Sequence, residues 1–177
     1  MWNNETNIAL ECDFCNLQFP ASFTVGAGTA TPIISGRIYE AGVTEAAGAS
    51  ASILAQVDFG PAFSDPRTSG GWQWFTATYD VQVGNDDEYQ GSFVPPFGGP
   101  YSYTFRFSLD GGASFSAADL NGAGSNFGLD FEPGQLGQMT VIGDPPPSPI
   151  PEPASAVLLG MGLAGLAFRR KLIKPVT

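Results

Sequence analysis

The chain has 177 residues, with 17 acidic side chains against seven basic ones and no histidine. Without histidine, neither a Ser-His-Asp nor a Cys-His nucleophile can be assembled, and no imidazole can hold a metal. Only Arg37, Arg67 and Arg106 precede residue 145, so this stretch is strongly acidic, repels nucleic acid and excludes it as a partner.

Residues 1–7 contain neither a basic start nor an apolar stretch, so they do not form a secretory signal peptide. Cys12-Asp13-Phe14-Cys15 is the one cysteine pair. With no strand before it and no helix after it, the C-x-x-C spacing does not make a redox motif, and a zinc site would need a second pair. Cys12 and Cys15 are expected either to close a local disulfide or to stay as free thiols.

Beyond the cysteines, strand patterns alternate with turn clusters. Ile53, Ala55, Val57 and Phe59 alternate with Leu54, Gln56 and Asp58, the period-2 pattern of a strand with one face inward. Residues 72–79, WQWFTATY, are aromatic and β-branched, as strands favour. Tyr101, Tyr103, Phe105, Phe107 and Leu109 alternate with Ser102, Thr104, Arg106 and Ser108. That strand ends at Asp110-Gly111-Gly112, a hairpin-type turn. Weaker strands are expected over 17–25, 32–40, 88–94 and 138–142, divided by Gly, Pro, Asn and Asp clusters. About seven short strands at this spacing predict an all-β, immunoglobulin-like antiparallel β-sandwich over residues 1–144.

Within that domain the chemistry-bearing candidates are few. Trp72 and Trp74, with Tyr79, Tyr101 and Tyr103, could stack on sugar rings, though aromatics in sandwiches commonly fill the core. Asp86-Asp87-Glu88 could offer carboxylates to calcium, but such a run is more often a solvated loop. Asp119-Leu120-Asn121-Gly122 loosely echoes a calcium loop, yet Ala123 stands where a ligand is required, so the pattern fails. Nothing selects two of the carboxylates as a glycosidase pair. No cofactor, metal or catalytic set is expected.

From Pro145 to Pro153, six of nine residues are proline. This linker is expected to extend as polyproline II, about 3.1 Å per residue or roughly 28 Å in all. Residues 154–168, ASAVLLGMGLAGLAF, carry no charge. As a helix they span roughly 22 Å at about 1.5 Å per residue, short for a bilayer core of about 30 Å. Leu172 and Ile173 add length if Arg169, Arg170 and Lys171 snorkel to the headgroups. Residues 154–177 are thus expected to form a short transmembrane helix and basic tail, with Arg169, Arg170 and Lys171 as a cytoplasmic stop.

The order Pro151-Glu152-Pro153, apolar helix, Arg169-Arg170-Lys171 resembles the PEP-CTERM sorting signal of bacterial exported proteins. The resemblance implies an exosortase-type membrane enzyme as partner and Pro151, Glu152 and Pro153 as the sorting motif. It also implies a place in the bacterial cell envelope, with inner-membrane anchoring before processing and export to the surface. That orientation takes the body across the membrane, so an export signal upstream of this sequence, or already trimmed from it, is expected. The body resembles a secreted bacterial module through Asn16-Leu17-Gln18-Phe19-Pro20, Ile34-Ser35-Gly36-Arg37-Ile38-Tyr39, Trp72-Gln73-Trp74, Asn85-Asp86-Asp87-Glu88-Tyr89 and Tyr103–Gly112. This likeness is one of fold-forming residues and implies no catalytic set. The reading is an exported, non-catalytic surface or extracellular-matrix sandwich. A carbohydrate-binding module that meets extracellular polysaccharide through Trp72 and Trp74 is the alternative.

Overall fold

The computed structural model describes residues 10–126 and 129–147. Ten strands form two sheets: β1 (Phe14–Phe19), β2 (Ser22–Gly26), β3 (Ile34–Tyr39), β4 (Leu54–Pro61), β5 (Gln73–Thr76), β6 (Thr78–Val83), β7 (Asp86–Gly91), β8 (Gly99–Ser108), β9 (Ser116–Ala117) and β10 (Gly137–Ile142). One sheet has the order β1-β3-β7-β6. The other has the order β2-β10-β8-β4-β5, with β9 also paired to β8. The described residues therefore form an all-β sandwich. Residues Met1–Pro145 form one compact unit and Pro146–Thr177 another.

The alternating strands behave as their pattern predicts. Ala55, Val57 and Phe59 of β4 and Tyr103, Phe105 and Phe107 of β8 are all buried in one core. Burying each such aromatic or branched side chain stabilises the fold by about 1.5–3 kcal/mol. Leu17, Ile34, Ile38 and Tyr89 of the four-stranded sheet close the core from the other side. Gly36 on β3 makes room for this packing, because a Cβ there would lie 2.5 Å from the Phe105 ring.

Two expected strands each prove to be two strands that change sheets. The 17–25 stretch divides at Pro20, whose peptide bond is cis. There β1 leaves the four-stranded sheet and β2 enters the other. The buried Tyr103 hydroxyl donates to the Pro20 carbonyl at 2.5 Å and fixes the crossing. Likewise the 72–79 stretch divides at Ala77, whose N–H donates to the Ala55 carbonyl at 3.0 Å, as the chain steps from β5 to β6. Both edges of the sandwich are thus joined by continuous chain. Sheet edges present unpaired N–H and C=O groups, and such crossings shorten the exposed stretch.

The sandwich is not wholly antiparallel, because β10 runs parallel to β2 from Gln138↔Ser22 to Ile142↔Gly26. This follows from the crossing at Pro20, which sends β2 onward in the direction of β1. The short β9 had no expected counterpart. It continues the line of β10 along β8, pairing Ser116 and Ala117 with Phe107 and Arg106. Ala118 then donates to the Phe105 carbonyl, while the Asp119 carbonyl accepts from Leu17. The segment so ties β8 to β1 across the side of the sandwich.

Residues 145–147 have no regular structure. The rest of the proline linker and the expected transmembrane helix lie outside the described residues. Among the described residues, no helix is long and apolar enough to cross a membrane.

Candidate functional site

Strand β5 sends alternate side chains to opposite faces, and Phe75 points into the core against Phe59 and Phe93. Trp74 therefore faces outward, paired in register with Asp58. Trp72 precedes the strand by one residue and lies on the same face. The two indoles stack with centroids 6.3 Å apart and planes 24° from parallel. Each has one side taken by the protein. Trp72 covers Gly60, where any Cβ would clash with the ring, and its Nε1–H donates to Ser64 Oγ at 3.1 Å. Trp74 lies on the Arg106 guanidinium, 3.5 Å from the ring centroid. Both indoles are half-buried.

Arg106 was not among the expected site residues, yet it organises this face. Its guanidinium is held between the Trp74 and Phe115 rings, the latter 3.9 Å away. Its Nε–H donates to Gln56 Oε1 at 2.8 Å. Burial lowers its pKa to about 10 while the Asp58 carboxylate opposes the shift, so it stays charged at neutral pH. Asp58 is fully buried. Its Oδ1 accepts from the Thr104 N–H at 3.2 Å, and its Oδ2 has no hydrogen-bond partner among the described residues. Burial pushes its carboxyl well above the usual range, against the pull of Arg106 and the Thr104 N–H. The outward i, i+2 spacing of Trp72 and Trp74 was legible in the sequence. The arginine beneath them was not, because it arrives from β8, two strands away.

The wider aromatic platform does not assemble. Tyr79 packs edge-on against Tyr89 in the other sheet, and Tyr103 is buried in the core. Tyr101 packs edge-on against Phe59. Cys12 and Cys15 are free thiols, both buried. Burial, and then the hydrogen bond with Cys12, pushes the Cys15 thiol well above its ordinary value of 9.0. A thiol held protonated in this way is a poor nucleophile.

The acidic candidates serve the fold. Asp119 accepts from the Gly122 N–H through Oδ1 and from the Glu132 N–H through Oδ2, each at 2.7 Å, which closes its loop internally. Asp87 is buried on β7, whereas Glu88 pairs with Arg37 at 3.5 Å. Among the described residues no group of three or more Cys, Asp or Glu side chains is gathered closely enough for a metal.

The residues expected to direct sorting, Pro151, Glu152 and Pro153, and the basic stop at Arg169, Arg170 and Lys171, lie outside the described residues. Residues 149–171 match the family model described as the PEP-CTERM protein-sorting motif. A comparison with curated proteins finds no match for the chain. The tail thus carries a PEP-CTERM protein-sorting motif. The motif implies export through the cell envelope and processing by an exosortase, a membrane enzyme.

Proposed function

We propose that this protein is a non-catalytic, immunoglobulin-like domain delivered to the bacterial surface or its extracellular matrix through its C-terminal tail. The tail helix anchors it in the inner membrane until the exosortase acts. The observation that carries the reading is the sorting motif at residues 149–171, attached to an acidic all-β body without histidine.

Strand order supports the immunoglobulin-like assignment. The sheet β1-β3-β7-β6 corresponds to A-B-E-D, and β10-β8-β4-β5 corresponds to G-F-C-C′. The Tyr101 hydroxyl, near the start of β8, donates to the Phe97 carbonyl at 3.3 Å, as a tyrosine corner does. The body departs from antibody domains where their inter-sheet disulfide joins strands B and F. Here Phe105 of β8 packs over Gly36 of β3 instead.

The test replaces Pro151-Glu152-Pro153 by three alanines in the native gene and fractionates the cells. The intact protein is expected at the surface or in the medium with a shortened tail, and the variant full-length in the inner membrane. Identical fractionation of the two would reduce residues 154–168 to an ordinary anchor.

A second reading, carbohydrate binding, is favoured by the stacked, half-buried pair Trp72 and Trp74. Sugar rings meet aromatic faces by apolar contact. Polysaccharide retention that disappears in Trp72→Ala/Trp74→Ala, with the thermal transition preserved, would establish it. Unchanged retention would leave the pair as a cover for Gly60 and Arg106.

A further inference from the structure

The two ends of the sandwich differ sharply in charge. At one end lie Glu11, Asp13, Glu40, Glu45, Asp86 and Asp110, on or beside the loops that flank Phe14, Tyr39, Leu54 and Ser108. No basic residue occurs in residues 10–13, 40–53, 83–87 or 109–115. At the opposite end, residues 26–33 and 91–98 carry no charge of either sign; its third loop, residues 62–72, carries Asp65 paired with Arg67 at 3.0 Å, and Asp144 stands where the linker leaves.

Hydrogen bonds knit that end together. The Gly28 N–H donates to the Pro95 carbonyl, Thr31 to Phe93, Ala27 to Ile142 and Gly98 to Asp144, at 2.7–2.9 Å. The same end exposes large apolar side chains: Ile33 at 53%, Val94 at 50%, Phe97 at 39% and Ile142 at 66%. Phe63, on the loop that leaves β4 here, is 82% exposed and has a φ of +60°. A non-glycine residue is uncommon in that left-handed region. These are five of the seven large apolar side chains exposed among the described residues, Phe19 of β1 and Val81 of β6 being the others, and such a gathering marks an interaction surface.

The chain itself indicates what covers it. β10 ends at Ile142, and the proline linker leaves from Asp144, beside Gly98, within this apolar end. Nine residues separate Asp144 from the apolar tail segment that begins at Ala154. We propose that this apolar end, with Phe63, Val94, Phe97, Ile33 and Ile142, rests in the headgroup layer of the bilayer that holds the tail. The acidic end points away from it. This rests on the tail being inserted, as in the proposed function. Apolar side chains at an interface gain by burial among headgroups and acyl ends. Carboxylates are repelled by anionic lipid over about a Debye length, roughly 8–10 Å, so the charge asymmetry selects the same orientation.

The experiment uses the full chain in phosphatidylcholine vesicles, with and without doxyl-labelled lipid as quencher. An environment-sensitive fluorophore is placed singly at Val94→Cys, Glu45→Cys or Leu163→Cys, with the unsubstituted chain as the blank for Cys12 and Cys15. The label at position 94 is expected to shift to the blue and lose most of its emission to the quencher. The label at position 45 is expected to lose none. Adding Phe97→Glu and Ile142→Glu should abolish quenching at 94 and leave quenching at 163 unchanged. Quenching at 163 without quenching at 94 overturns the proposal and spares the tail reading. No quenching at either position overturns both, and quenching at 94 alone keeps the lipid contact while removing the inserted tail. A label at 94 that escapes the quencher but changes emission with protein concentration assigns the surface to a second copy, and the proposal falls.

Discussion

At the residue scale, Asp58 shows how a buried carboxyl weakens the fold as pH rises past its ordinary value. Its carboxyl is buried, so the folded state keeps a proton that the unfolded chain releases from its ordinary pKa of 3.8 upward. The folded state then binds more protons than the unfolded one across the window above 3.8, and stability falls as pH rises through it. Glu40, Asp86, Asp87 and Asp119 are raised too, each chiefly by burial, and act in the same direction. Asp110 acts oppositely. Hydrogen bonds from Ser114 and Ser108 hold it down at about 2, and its contribution is lost as pH falls from 3.8 toward that value. Asp58→Asn should flatten the decline in unfolding free energy as pH rises above 3.8, where one such proton changes stability by up to about 1.4 kcal/mol per pH unit. Urea denaturation across that range measures it, and an unchanged slope would show that Asp58 does not titrate there.

At the element scale, the sandwich depends on the segment that joins β8 to β1 outside either sheet's main order. Thr104, fully buried on β8, donates its hydroxyl to the Ala118 carbonyl. Thr104→Val keeps the shape and removes the donor, leaving a buried carbonyl short of a partner. The expected cost is about 1–3 kcal/mol. Thr140→Val on the exposed face of β10 is the control, expected within about 0.5 kcal/mol of the parent. Equal effects in the two variants, measured by chemical denaturation, would mean the segment contributes little to closure. Its importance could not be read from the sequence. Ser114 to Gly124 is rich in Ser, Ala and Gly and has no strong period, and its partners lie about a hundred residues away on β1 as well as nearby on β8.

At the scale of the whole molecule, the acidic residues gathered at one end repel one another, while the other end carries the Asp65–Arg67 pair and Asp144. Raising salt from about 10 mM to about 150 mM shortens the Debye length from about 30 Å to about 8 Å. The thermal midpoint at neutral pH is therefore expected to rise by a few degrees. No rise would mean the carboxylates are already too well solvated for their repulsion to count. The same asymmetry gives the molecule a direction, acidic at one end and apolar where the linker leaves.

The sequence by itself determined the tail and the inward residues. Pro151-Glu152-Pro153, the uncharged run and the basic cluster are contiguous, so their meaning needs no folded partner. The alternation in β4 and β8 likewise assigns side chains to faces, because a strand turns each residue opposite to the last. Only the tertiary structure decided where strands divide and what they meet. The crossings at Pro20 and Ala77, the parallel pairing of β2 with β10, and the seat of Arg106 between Trp74 and Phe115 all depend on contacts between residues far apart in the chain. The same holds for the polarity of the two ends. Uncharged loops 26–33 and 91–98 become one surface only when the five strands between them, β3 to β7, are brought into register, a choice made by core packing over distances that local pattern does not encode.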